Sequence, residues 1–342
     1  MSEFVRNVWY MAAWANEVPA GGMLTRTLLG KPWLLFRSAD GTWAMIEDRC
    51  PHRFVPLSRG RFADGLVSCG YHGLTFDGHG RCVHNRFGDV PQGARVATCP
   101  IVERHGGLWF WPGDPALADA ATVPDFAFID AGAPVDRAHY LMTVNYQLIA
   151  DNLLDLSHAE FLHVESFGTN GSMFSHGAQT VAQDLSGAIW NKWDMTDAPP
   201  PGWAAGMLEA GERINQALHI RWHAPSNLAL FIDVRRAASD SLLVPPMANP
   251  HILTPESGRS THYFFTHEPG PEAEAMARRV FLEEDEPMIS AQAEAMGGAD
   301  FWQLRPLILP SDKAAILARR RLMQMIKAES GVSADLIPAA SA

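Results

Sequence analysis

At 342 residues, with 47% hydrophobic and 19% charged side chains, the chain is long enough for two domains and has globular rather than disordered usage. A formal net charge of −11, with no basic run beyond Arg319-Arg320-Arg321, argues against a nucleic-acid partner. No apolar run approaches the ~18 residues of a membrane span. The start, Met1-Ser2-Glu3-Phe4-Val5-Arg6, lacks the pattern of a signal peptide, so a cytoplasmic location without membrane attachment is expected.

Residues 1–115 read as short strands joined by turns. Trp33-Leu34-Leu35-Phe36-Arg37 and Thr42-Trp43-Ala44-Met45-Ile46 flank Ser38-Ala39-Asp40-Gly41, which predicts a hairpin with Asp-Gly at its turn. Leu108-Trp109-Phe110-Trp111 predicts a later strand, closed by Pro112-Gly113-Asp114-Pro115. Within this part stand Cys50-Pro51-His52 and Cys69-Gly70-Tyr71-His72, separated by 16 residues. Each offers one thiolate and one imidazole at close range. This is the ligand set in which two Cys hold one iron of a [2Fe–2S] centre and two His hold the other. Zinc also accepts two Cys and two His, but zinc fingers pair Cys with Cys and His with His, whereas both halves here are mixed. The flanking strand-like runs and turn glycines suggest two hairpin tips facing each other across a shared cluster. Cys82 and Cys99 read as small buried hydrophobes.

A Pro/Ala-rich connector from about residue 116 to 124 marks the domain boundary, so that residues 116–342 form a second, α+β domain. Asn145 to about Val164 predicts a helical stretch, and residues ~176–268 alternate as strands around the loop Asp197-Ala198-Pro199-Pro200-Pro201-Gly202. Two closing helices are expected, one over about Glu272–Met296, the other from Ser311 as N-cap towards Gly331 as C-cap.

The stretch Asp151–His163 holds His158 and His163. Two His and a carboxylate with open positions form the facial triad of non-haem Fe(II) that activates O₂. Five residues correspond to about 140° of rotation on an ideal helix, so both imidazoles reach one metal only if the helix is distorted or ends between them. Two His packed in a polar core are the bland alternative, and the one-electron relay upstream, which needs an acceptor, weighs against it. Glu283-Glu284-Asp285-Glu286 offers four candidates for the carboxylate, and spacing does not choose among them. Asp155, three residues before His158, is placed to orient that imidazole or to couple it to another group across an interface.

Taken together, these residues resemble the Rieske non-haem iron oxygenases, in particular the oxygenase components of dicamba and vanillate O-demethylases. The likeness spans nearly the whole chain. It includes Phe4-Val5-Arg6-Asn7-Val8-Trp9-Tyr10, Cys50-Pro51-His52-Arg53-Phe54, Tyr71-His72-Gly73-Leu74, Trp111-Pro112-Gly113-Asp114-Pro115, Asp151–His163 and His251-Ile252-Leu253-Thr254-Pro255-Glu256. The resemblance implies an all-β Rieske [2Fe–2S] domain followed by a helix-grip (START-like) catalytic domain with an antiparallel sheet. It implies Asp285 as the third iron ligand, Asn152 as a polar neighbour of the iron, and His251 as a substrate-binding residue. It further implies homotrimers in which Asp155 bridges His158 and a neighbouring copy's His72.

The expected reaction is monooxygenation of an aryl methyl ether to a phenol and formaldehyde. O₂ is the co-substrate, and electrons come from NADH through a ferredoxin, a flavin-containing reductase or both. The chain has no G-x-G-x-x-G fingerprint, so NADH is expected to bind elsewhere. Between about Gly168 and Pro250 the likeness lapses, and Trp190, Trp193, Trp203 and Met207 stand equally as substrate contacts or core. Ring hydroxylation, methyl oxidation and N-demethylation are rival outcomes on the same metals; a plain Rieske electron carrier is a more distant one.

Overall fold

The computed structural model describes residues 4–132 and 134–330; the expected C-cap at Gly331 lies outside the described residues. The chain forms two compact units, Met1–Asp125 with Thr254–Gly258, and Phe126–Leu253 with Arg259–Ala342.

The first unit is built from three small antiparallel sheets. Strand Tyr10–Trp14 pairs with Gly107–Phe110, which pairs with Ile101–Arg104. Met23–Leu28, Lys31–Arg37 and Trp43–Glu47 form the second sheet, and the expected hairpin is there, with Arg37 opposite Trp43 and Gly41 at φ +81° closing the turn. Arg61–Ala63, Leu66–Ser68, Thr75–Phe76 and Cys82–His84 form the third. The inward faces of the second and third sheets bury Leu34, Phe36, Ile46, Val67 and Phe76 in one core, to which Cys50 and Cys69 also belong. Residues Thr254–Gly258 are held here by hydrogen bonds to this unit's main chain. Leu29 N–H donates to the Pro255 carbonyl (2.8 Å), Gly30 N–H to that of Glu256 (2.7 Å), and Thr254 Oγ1 to that of Met11 (2.7 Å).

The second unit carries one seven-stranded antiparallel sheet. Its spatial order is Asp136–Met142, Thr261–His267, Met247–Pro255, Asn227–Arg236, Ile214–His223, Ile189–Ala198, Gly177–Gln183. Six strands follow one another as a meander, and the edge strand Asp136–Met142 joins through the last strand, with Asp136 opposite His267 and Met142 opposite Thr261. Strand alternation puts Asn191 and Trp193 on the same face. Asn191 donates to the Leu154 carbonyl (2.7 Å), so this is the face on which helix Tyr146–Leu154 lies.

The helix at Asn145 begins as expected, since the Asn145 side chain accepts from Gln147 N–H (2.8 Å). It then stops at Leu154 rather than running to Val164. Asp155 takes φ −96°, ψ 81°, a 3₁₀ turn covers Leu156–His158, and a single α-turn covers Ala159–Leu162. The expected helix over 272–296 is likewise interrupted: α-helix Pro271–Arg278 passes into a π-helical segment, Arg279–Asp285, before α-helix Glu286–Met296 resumes. In the last helix, Lys313–Glu329, the N-cap is Asp312, and Ser311 sits in the preceding 3₁₀ turn. Arg319 of that helix pairs with Asp151 (2.6 Å) and donates to Gln147 (3.0 Å), pinning it to helix Tyr146–Leu154.

Candidate metal centres

Two loops of the first unit bring the Cys/His set together. After strand Trp43–Glu47 the chain closes a tight loop in which Cys50 N–H donates to Val55 O and Phe54 N–H donates back to Cys50 O, both 2.9 Å. The second loop repeats the pattern, with Cys69 N–H to Leu74 O (2.8 Å) and Gly73 N–H to Cys69 O (3.0 Å). Phe54 and Gly73, at matching positions, take φ +61° and +75°. The cysteines point into the core, 1% and 4% exposed, while His52 is exposed and His72 half-buried, their rings 4.6 Å apart. Burial, with the Cys69 thiol beside it, pushes the Cys50 thiol above its ordinary pKa, so a cation is needed to hold it as thiolate. Two buried sulfurs and two outer imidazoles fit a [2Fe–2S] centre whose His-ligated iron is the one near the surface.

The loops stack closely. A Cβ on Gly60 would stand 1.9 Å from Ser68 O and 2.9 Å from Gly70 N, the backbone on either side of Cys69. Gly60→Ala is therefore expected to displace that loop, destabilising the unit by about 1–3 kcal/mol and lowering cluster occupancy. Visible absorbance of the cluster together with thermal unfolding checks this; wild-type values in both would contradict it.

In the second unit, His158, His163 and Asp285 converge. His158 Nε2 lies 3.1 Å from His163 Nε2, and Asp285 Oδ1 lies 3.6 and 3.3 Å from those two nitrogens. The break at Asp155 and the single turn Ala159–Leu162 supply the distortion that the five-residue spacing requires. Asp285 closes the π-helical segment, a feature frequent at functional sites. The other three acids are engaged elsewhere. Glu283 meets Arg278 on the surface, Glu286 accepts from Thr143, and Glu284 accepts from His163 Nδ1 (2.7 Å).

Hydrogen-bond partners decide what this cluster can hold. His158 Nδ1 faces the Asp155 carbonyl, which only accepts, so Nδ1 carries the proton. His163 Nδ1 likewise donates to the Glu284 carboxylate. In the neutral rings both Nε2 atoms then present lone pairs, to each other and to a carboxylate oxygen. Three acceptors so close repel one another unless a cation sits among them. A point about 2 Å from all three exists, the length of a metal–nitrogen or metal–carboxylate bond. His163 and Asp285 are 4% and 3% exposed. Burial disfavours charge on His163, but the Asp285 and Glu284 carboxylates outweigh it and raise its pKa. The donor set fits non-haem iron with two imidazoles and one carboxylate.

Asn152 donates to Asp285 Oδ1 (3.1 Å), holding the ligand oxygen from behind. Asp155 touches His158 through its carbonyl; its carboxylate accepts from Ser157 N–H (3.1 Å) and Ser157 Oγ. His251, on strand Met247–Pro255, is buried beside Phe281 of the π-helical segment, with ring centroids 5.8 Å apart. Its Nδ1 meets Tyr263 Oη at 2.6 Å. Burial drives the Tyr263 pKa well up, and Asp285 adds to this, so the phenol keeps its proton and is able to donate it to Nδ1. With the phenol donating, Nε2 bears the hydrogen, and that nitrogen has no partner among the described residues. Burial lowers the His251 pKa to about 4, against the pull of Asp285, so this N–H donor stays neutral across ordinary pH.

Of the four pocket candidates, Trp193 is buried on the helix-bearing face and touches Phe174, with centroids 6.3 Å apart. Trp190 points to the opposite face, stacked on Phe231 and tied to Asp184. Trp203 and Met207 lie in a 3₁₀ turn, Gly202–Met207. Glu284, Ser166 and Tyr263 are site residues that sequence spacing did not single out. Only Glu284 carried any signal, as one of four adjacent acids.

Residues 8–99 match the family model of the Rieske [2Fe-2S] domain, and residues 142–328 that of the vanillate O-demethylase oxygenase C-terminal domain. The chain is 34% identical to the oxygenase component of dicamba O-demethylase from Stenotrophomonas maltophilia, over 96% of this chain and 99% of that protein. It is also 34% identical to the oxygenase component of chloroacetanilide N-alkylformylase from Rhizorhabdus wittichii, over 95% and 97%. Dicamba monooxygenase bound to 3,6-dichlorosalicylic acid superposes with a TM-score of 0.80 at 33% identity, covering 96% and 99% of the two chains. Both of these relatives are named as oxygenase components. No described helix is long and apolar enough to cross a membrane. With its all-β first unit, its helix-grip second unit and both family models matched, the chain belongs to the Rieske non-haem iron oxygenases, in the branch that carries the vanillate O-demethylase type of catalytic domain.

Proposed function

We propose that this protein catalyses the oxidative O-demethylation of a methoxylated aromatic, releasing a phenol and formaldehyde. The observation that carries this reading is the convergence of His158, His163 and Asp285 on one point, in a chain that also holds the Cys50/His52/Cys69/His72 set. Electrons reach it from NADH through a separate flavin-containing reductase, a ferredoxin or both. The working assembly is a cytoplasmic homotrimer in which Asp155 links His158 to His72 of a neighbouring copy. The cluster domain comprises residues 1–115 and the catalytic domain residues 116–342.

When bound, the cluster supplies single electrons and the mononuclear iron supplies dioxygen chemistry. The chain's own residues bind and orient. His158, His163 and Asp285 are the residues that would hold the ion, two imidazoles and one carboxylate of the kind suited to non-haem iron. Asn152 fixes the Asp285 oxygen. His251 offers a buried N–H to a substrate acceptor, a carboxylate or ether oxygen, and Tyr263 keeps that hydrogen on Nε2. Tyr263→Phe leaves His251 Nδ1 unpaired and frees the tautomer. Losing such a buried bond costs about 1–3 kcal/mol, so kcat/KM is expected to fall roughly 10-fold or more with iron content unchanged. Unaltered kcat/KM would remove His251 from substrate binding.

The deciding experiment is turnover of a panel of methoxylated aromatics with NADH and a purified reductase, with products identified by mass. A phenol with an equivalent of formaldehyde supports the reading, and a cis-dihydrodiol overturns it. N-dealkylation is the second reading, favoured by the likeness to chloroacetanilide N-alkylformylase. N-alkyl anilides in the same panel separate the two.

A further inference from the structure

We infer that Glu284 is a positioning residue for His163, and that it makes the two imidazoles of the iron site unequal donors. This goes beyond the ligand set and rests on reading His158, His163 and Asp285 as that set. The Glu284 carboxylate is fixed at both oxygens. Oε2 accepts from His163 Nδ1 (2.7 Å) and from Ser166 Oγ (2.9 Å), and Oε1 accepts from Arg279 Nε (2.8 Å). Arg279 reaches on to Glu165 (3.0 Å), which is 81% exposed. Held at two points, the carboxylate has no freedom to swing away from the imidazole.

His158 differs: among the described residues its Nδ1 faces the main-chain carbonyl of Asp155, while the carboxylate of that residue is turned to Ser157. An anion behind an N–H draws the proton outward and pushes electron density to the far nitrogen, more than a neutral carbonyl does. His163 Nε2 is thereby the stronger donor of the pair. The π-helical segment has a direct consequence here. Consecutive residues on an ordinary helix diverge by about 100°, yet Glu284 and Asp285 grip the same ring from opposite sides, 2.7 Å from Nδ1 and 3.3 Å from Nε2. The widened turn lets one residue act as ligand while its neighbour orients the other ligand.

The test uses the full-length protein with its cluster, comparing wild type, Glu284→Gln, Glu284→Ala, Ser166→Ala and His158→Ala. Mononuclear iron affinity is measured by competition with a chelator, and the ferrous site by near-infrared magnetic circular dichroism. Glu284→Gln keeps shape and an acceptor but removes the charge, so it also serves if the alanine variant folds poorly. The expected results are weaker iron binding, roughly 10-fold for Gln and up to 100-fold for Ala, and shifted ligand-field bands. Cluster absorbance should not change, and Ser166→Ala should act in the same direction but less. Wild-type affinity and spectra in both Glu284 variants would overturn the inference while leaving the iron site standing. If wild type and His158→Ala retain equal iron, the ligand assignment itself fails and takes the inference with it.

Discussion

His158→Ala is expected to lose the mononuclear iron, about one ion per chain, and with it nearly all turnover, while the [2Fe–2S] absorbance persists. Three donors hold the ion, and two of them stand on a chain segment shaped for the purpose: a helix broken at Asp155, then a single turn ending at His163. Removing one imidazole leaves His163 and Asp285, too few to hold a labile divalent ion against dilution. Asp285→Asn makes the same point through charge. Asparagine keeps an oxygen for the Asn152 amide but withdraws the only anion among the ligands. The fall in turnover should exceed the roughly 10–100-fold typical of residues one layer out. Iron analysis, cluster absorbance and product formation on one preparation decide it. Retained mononuclear iron with wild-type turnover in either variant would show that this cluster is not the reaction centre.

Asp155→Asn should give the opposite pairing, both metals kept and turnover nearly gone. Locally the exchange is mild. The Asp155 carboxylate caps the 3₁₀ turn at Ser157, which asparagine does almost as well, and its carbonyl still accepts from His158 Nδ1. What is lost is the negative charge that the proposed link to His72 of a neighbouring copy requires. Oxidation of the pre-reduced cluster in a single turnover with substrate and O₂ should slow on the order of 100-fold. The same rate as wild type would mean that electrons do not pass through Asp155.

The meeting of the two Cys/His pairs was legible because all four residues sit in two short loops whose spacing is set by local geometry alone. The iron site was legible only in part. Spacing warned that His158 and His163 need a distorted helix, and the break at Asp155 is that distortion. Asp285 could not be picked from its acidic neighbours, because regular helical periodicity fails where seven residues adopt a π-helix. The family likeness named Asp285, and the geometry brings that residue to both imidazoles. Strand Asp136–Met142 escaped because its sequence, Asp-Arg-Ala-His-Tyr-Leu-Met, has little β-character and it pairs with a strand more than a hundred residues later. Tyr263 escaped for a similar reason, since its bond to His251 joins two strands and leaves no trace in either one's pattern.

The hairpin tip Thr254–Gly258 adds a constraint on modular inheritance. The main-chain groups of Leu29, Gly30 and Met11 find their partners in a pentapeptide encoded well over two hundred codons downstream. Grafting the N-terminal module from one relative onto another would therefore orphan those groups, unless the distant tip travelled with it. Recombination within such a lineage should favour exchanges that move both pieces, or breakpoints that spare them.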